Sequence, residues 1–159
     1  YRHDLGELHC LSVNRGTLTA EERFLINNHI VQTIIMLRGL PFPEYLKDVP
    51  DIAGNHHEHL DGTGYPRGLE AAAMIPQARM MAIADIFEAL TASDRPYKLG
   101  KPLSEAVTLL AGYVRMGHLD RDLFELFLRE GVHLRFAQRF LDAHQIDEVD
   151  IEAALRRAG

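Results

Sequence analysis

From Thr19 onward the apolar residues of this chain recur three and four apart, and nowhere do they alternate convincingly with period two. A chain with that pattern has helix faces to bury and no sheet face. Thr19 followed three residues on by Glu22 has the capping-box form. Phe24, Leu25, Ile30, Val31, Ile34, Ile35 and Leu37 then keep helical spacing as far as Arg38 or Gly39. The 39–43 segment breaks the chain, and a second helix is expected over about residues 44–58. Pro76 suits the first turn of the next helix, which should run to about Ser93. Pro102 and Ser104 open another through Leu110. Residues 120–129 place Leu123, Phe124, Phe127 and Leu128 on one face, and two last helices are expected over 134–141 and 147–155. The pattern predicts an all-α fold, a helical bundle with irregular loops.

One stretch departs from this simple packing pattern. Residues 55–98 open on His56-His57-Glu58, pass through a Gly-rich turn ending in Gly64, Tyr65 and Pro66, and enter an apolar helix carrying Asp85. The neighbours of Asp85 are Met81, Ala82, Ile83, Ala84, Ile86, Phe87 and Ala89, so the carboxylate is expected to be buried. A buried carboxylate needs a cation or strong donors. A metal ion and a structural partner such as Arg79 are equal readings at this point. Adjacent helical residues point about 100° apart, so His56 and His57 are expected to reach two neighbouring ions rather than one.

Other ligand-type residues lie elsewhere. His3 and Asp4 are adjacent near the start, and His29 sits inside the first helix, where an isolated histidine is more often a core residue. The six candidates, His3, Asp4, His29, His56, His57 and Asp85, come from separate segments and mix imidazole with carboxylate, with no thiolate set. That mix suits iron or manganese better than a zinc-thiolate site. Brought together, they could hold two metals about 3.5–4 Å apart, the spacing used to hydrolyse phosphate esters.

Composition narrows the partners. The 159 residues suit one domain with a real core. The net charge of −6 argues against broad binding to nucleic acid polymers or anionic membranes. The single Cys10 excludes an internal disulfide framework and fits a reducing, cytoplasmic compartment. No apolar run approaches the length of a membrane span.

His3-Asp4, HHE at 56–58, DGTGYP at 61–66, IPQAR at 75–79, IADIFEALT at 83–91 and RPYK at 95–98 together resemble the HD-GYP family. This is the subgroup of HD-domain phosphohydrolases that degrade bacterial cyclic dinucleotides, chiefly cyclic di-GMP. The QIDEVDI at 145–151 is similar to the tail of many such domains. The resemblance implies that His3, Asp4, His29, His56, His57 and Asp85 bind a centre of two or three iron or manganese ions. It implies that Asp61, Gly62, Gly64, Tyr65 and Pro66 shape the substrate site and offer a surface to GGDEF cyclase domains. Arg95 and Lys98 of the closing motif would face phosphate, or equally serve as solvated loop residues.

Three departures accompany the resemblance. The family usually has Lys three residues after the HD aspartate, and here that position is Glu7. Asp4 and Glu7 are the catalytic candidates, although Glu7 would repel phosphate unless it binds metal itself. Glu70-Ala71-Ala72-Ala73-Met74 fills a region where the family often has Gly and is one residue longer. The helix before the HD pair is missing, so residues 1–159 are expected to be one domain, truncated at its start, from the output part of a longer protein. The expected activity is metal-dependent hydrolysis of cyclic di-GMP. The alternative is a catalytically weak module that binds ligand or a GGDEF partner. A homodimer is compatible with either.

Overall fold

The computed structural model describes residues 19–93 and 100–159. His3, Asp4 and Glu7, and the loop cations Arg95 and Lys98, lie outside the described residues. Seven α-helices are described: α1 (Ala20–Arg38), α2 (Val49–Gly54), α3 (Pro76–Thr91), α4 (Leu103–Arg115), α5 (Arg121–Arg129), α6 (Val132–Phe140) and α7 (Ile151–Arg157). Among the described residues there is no strand, only an isolated antiparallel bridge between Asp61 and Glu70. None of these helices is long and apolar enough to cross a membrane.

The expected capping box opens α1. Thr19 Oγ1 accepts from Glu22 N at 3.1 Å, and Thr19 N–H donates to Glu22 Oε2 at 2.8 Å. The helix ends at Arg38 as the spacing predicts, but its apolar stripe is not a core stripe. Ile30 is fully buried, whereas Phe24, Leu25, Ile35 and Met36 are 61–70% exposed. The helix it packs against, α2, is only six residues long and covers little of that stripe. The helix expected over 44–58 is in fact a 3₁₀ turn, Glu44–Leu46, followed by α2. Pro50 explains the break. It has no N–H to donate, and its ring would meet the carbonyl of Leu46 in a continuous helix. In the first turn of α2 neither objection applies.

The core belongs to α3, α4 and the C-terminal helices. Leu103, Ala106, Val107, Leu110, Ala111 and Val114 of α4 recur three and four apart, and all are buried. Against them lie Ala82, Ile83 and Phe87 of α3, Phe124 and Leu128 of α5, Ala137 of α6 and Ala154 of α7. The Phe87 ring meets Phe127 and Phe136 edge to face at 5.1 and 5.4 Å. The helix runs a turn beyond Leu110, where the spacing predicts its end, because the stripe continues to Val114.

Two polar side chains tie this core to the loops around it. Arg79 donates from Nε to Met74 O at 3.0 Å and from Nη1 to Asp120 Oδ2 at 2.9 Å, and Nη2 reaches Ala71 O. It is therefore not a partner of Asp85. Gln145, fully buried, donates from Nε2 to Thr91 O at 2.8 Å and to Lys101 O at 3.1 Å. Close by in the chain, Asp147 accepts from Ser104 N and Ser104 Oγ at 2.8 and 2.5 Å, so it caps the start of α4.

Candidate metal centre

The site forms where α1, the turn after α2 and α3 meet. Gly54 lets α1 and α2 close on each other, because a Cβ there would stand 2.6 Å from Ile34 Cγ1. The helix stops at Gly54, so His56 and His57 lie on a turn and not on a helix. Their rings therefore do not diverge as expected. They sit 4.0 Å apart, tilted by 46°, and one ligand atom from each lies within 4.8 Å of one on His29. His29 is exposed and directed at this pair, rather than in the core.

The hydrogen bonds around these rings point their free nitrogens inward. His56 Nδ1 lies 2.7 Å from Ala53 O, and His29 Nδ1 lies against Ile26 O. A carbonyl only accepts, so Nδ1 carries the proton in each neutral ring and Nε2 is left as a bare lone pair. His29 Nε2 faces His57 Nε2 at 3.3 Å. Burial, followed by the neighbouring His56, lowers the His57 pKa to about 4, with Asp85 acting in the opposite direction. The ring is thus neutral at pH 7, the form that ligates metal. Three imidazoles, with one ligand atom of each within 4.8 Å of the others, fit a divalent transition metal.

Asp85 differs from the expectation of a buried carboxylate. Its side chain is 37% exposed, and Oδ2 stands 4.0 Å from His57 Nδ1. The buried face of α3 passes through Ala78, Ala82, Ile83, Phe87 and Thr91, and Asp85 falls on the flank of that face. Counting apolar neighbours in sequence overlooked this direction. Asp85 lies beside the histidine trio, next to the outer nitrogen of His57.

The DGTGYP loop is folded onto the trio by one residue that the sequence reading did not select. Glu58 is 1% exposed, and its two oxygens accept from Arg67 N at 2.7 Å and Leu69 N at 2.8 Å. A signal was present: an acid beside a histidine pair, ahead of a Gly-rich turn, whose destination no helix pattern explained. The loop returns so closely that a Cβ on Gly64 would lie 2.2 Å from His59 N and 2.5 Å from Glu58 Cα. Tyr65 then stacks on His57 at 4.9 Å and 23°, and its N–H donates to His57 O at 3.1 Å. Burial and then Asp85 push its phenol pKa up. The Tyr65–Pro66 peptide is cis, Gly62 N donates to His59 O at 3.0 Å, and Asp61 Oδ1 accepts from Thr63 N and Oγ1 at 3.0 and 2.7 Å. Those hydrogen bonds hold the Asp61 carboxyl below its usual range. A cleft of about 180 Å³ opens here, lined by His56, His57, Glu58, His59, Tyr65, Ala82, Ile86, Tyr113 and Leu119.

Glu58→Gln is expected to loosen this loop. It replaces one charge-assisted acceptor with an amide that presents a donor to a backbone N–H. Thermal melts should show a loss of about 1.5–3 kcal/mol, or roughly 4–10 °C in a domain of this size. An unchanged melting temperature would show that the two backbone bonds contribute nothing.

A family model described as HD domain matches residues 1–123. The chain is 38% identical over 130 residues to a 3'3'-cGAMP-specific phosphodiesterase of Vibrio cholerae, covering 80% of this chain and 29% of that protein. It is 37% identical over 130 residues to a cyclic di-GMP phosphodiesterase of Pseudomonas aeruginosa, covering 80% of this chain and 30% of the relative. A cyclic di-GMP phosphodiesterase of Thermotoga maritima is 37% identical over 107 residues, covering 65% of this chain and 28% of the relative. The chain thus spans less than a third of the length of each of these relatives. By the matching family model and these relatives, the chain belongs to the HD-domain family, in its HD-GYP branch.

Proposed function

We propose that this domain is a metal-dependent phosphodiesterase that opens a bacterial cyclic dinucleotide, cyclic di-GMP, to the linear dinucleotide and on to GMP. The observation that carries the reading is the convergence of His29, His56 and His57 on one point, with lone pairs inward. On the family pattern His3, Asp4 and Asp85 complete a set for two or three ions of iron or manganese. When bound, such ions would polarise a phosphoryl oxygen and acidify a water. The chain's own residues supply the setting. Asp85 lies 4.0 Å from the outer nitrogen of His57, beyond hydrogen-bond reach and close enough to share an ion with the trio. Tyr65 covers one face of that ring and keeps water from it.

The cleft is smaller than the roughly 300–1,000 Å³ of an ordinary small-molecule site. It suits a phosphodiester and its ions, with the nucleosides lying on the loop of Asp61, Gly62, Gly64 and Pro66; on the family pattern Arg95 and Lys98, outside the described residues, are the proposed phosphate contacts. The same loop is the proposed contact for a GGDEF domain, and we place the activity in the cytoplasm. The names of the relatives, one for cGAMP and two for cyclic di-GMP, support the substrate class and leave the choice between the two dinucleotides to assay.

The test is reconstitution of chelated protein with Fe²⁺ or Mn²⁺ without oxygen, followed by separate incubation with cyclic di-GMP and 3'3'-cGAMP. Linear product that disappears on adding chelator is expected. Full metal loading with neither substrate cleaved would overturn the reading. A second reading rests on Glu7, which stands where the family has a phosphate-facing Lys: a module that binds the dinucleotide without cleaving it. Tight binding without turnover by the loaded protein would select it.

A further inference from the structure

His59, Asp61 and His118 form a second cluster that takes no part in the histidine trio. One ligand atom from each lies within 4.8 Å of the others. His59 and Asp61 belong to the DGTGYP loop, and His118 comes from the turn between α4 and α5, far along the chain. The rings of His59 and His118 stack at 3.9 Å and 10°. We propose that this cluster is a second divalent-metal site, for zinc or a similar borderline ion, that fastens the loop to the turn before α5.

The hydrogen bonds assign the free atom of each ligand. Thr63 Oγ1 lies 2.7 Å from Asp61 Oδ1 and 3.0 Å from His59 Nδ1. An ionised carboxylate only accepts, so the hydroxyl proton goes to Asp61 and the oxygen accepts from His59 Nδ1–H. Nε2 of His59 is then a bare lone pair, and Oδ2 of Asp61 is free of Thr63. A hydroxyl that fixes the tautomer of one ligand and orients the other is the usual surrounding of a metal site.

His118 supplies the third donor. Its Nδ1 is buried with no hydrogen-bond partner. Its Nε2 faces Asp61 Oδ2 at 3.7 Å, too long for a hydrogen bond. No hydrogen bond occupies Nε2, so that nitrogen is open to an ion shared with Asp61. Two ligands on one tetrahedral zinc sit about 3.3 Å apart, given bonds of about 2.0–2.1 Å, so the triangle has to contract by about an ångström and the two stacked rings have to tilt until their in-plane lone pairs meet. Two imidazoles and one carboxylate leave a fourth position for water. They match zinc, cobalt or nickel, and imidazole would select against calcium or magnesium. Leu60 N already donates to His118 O at 3.2 Å, so the two segments are in register for a shared ion.

The site is tested apart from any hydrolysis. Metal-free His57→Ala protein, in which the histidine trio is broken, is titrated with Zn²⁺ and followed by NMR of the histidine side-chain nitrogens. The Nε2 signals of His59 and His118 are expected to move together and saturate at one equivalent. Adding Asp61→Asn, a near-isosteric change at an exposed position, should weaken that binding by roughly tenfold or more. If His57→Ala does not fold, His29→Ala on the exposed side of the trio serves as the background. Signals that stay unmoved to millimolar Zn²⁺, or that move separately, would overturn the site, as would unchanged affinity in the Asp61→Asn variant.

Discussion

His57→Ala is expected to remove metal from the centre and lower phosphodiesterase activity by more than roughly a hundredfold, since even an outer partner of a metal ligand typically costs about 10–100-fold. Helical content should stay near that of the parent, because His57 lies on a turn and contacts other rings rather than the core. Metal content per chain, read by mass spectrometry beside a far-ultraviolet spectrum, decides the matter. Unchanged metal content would remove His57 from the ligand set. The substitution also has a pH signature in the metal-free protein. The folded pKa of about 4 lies below the ordinary value of 6.5. Between those two values the unfolded chain takes up the proton first, so metal-free stability falls as pH drops from about 6.5 toward 4. The variant should lack that part of the slope.

Gly64→Ala is expected to be the most damaging change in the signature loop. The new Cβ would meet His59 N at 2.2 Å and the Glu58 backbone at 2.5 and 2.6 Å. These are main-chain atoms flanking a buried carboxylate, so they cannot swing aside as a side-chain tip would. The loop has to lift, breaking the bonds from Arg67 N and Leu69 N to Glu58 and the stack of Tyr65 on His57. Overpacking of this kind costs about 1–3 kcal/mol or more, and activity should fall with it. Gly112→Ala provides the control, because nothing lies within 4 Å of its Cβ and it sits inside α4. That change should stabilise by about 0.5–1 kcal/mol. If urea melts of the two variants coincide, the close return of the loop at Gly64 is not what holds it.

Helix period was enough to read the fold class, and chain chemistry enough to read the capping box at Thr19 and the stop at Arg38. Pro50 was visible too, yet the helix expected over 44–58 ran across the break that it makes. The divergence expected of His56 and His57 failed for the same reason: it assumed helical directions for residues that sit on a turn. Asp85 was placed by composition of its neighbours, when its angle on α3 decides its exposure. Glu58 was read only as part of the HHE run, with no role of its own, and His118 was not selected. The partners of Glu58 are backbone N–H groups, which every residue carries, so no side-chain pattern points to them. His118 meets Asp61 only because α4 ends beside the loop, a property of packing that no local window contains.

Gln145 gives the domain an effective boundary that motif chemistry would not draw. The family model stops at residue 123, after every residue with candidate metal or phosphate chemistry. The amide that holds Thr91 O and Lys101 O, the two ends of the segment containing Arg95 and Lys98, comes later. So does the carboxylate of Asp147 that starts α4. A fragment trimmed to the matched region would carry the full chemical inventory without the anchors for its closing motif. The smallest transplantable unit is therefore larger than the recognisable one.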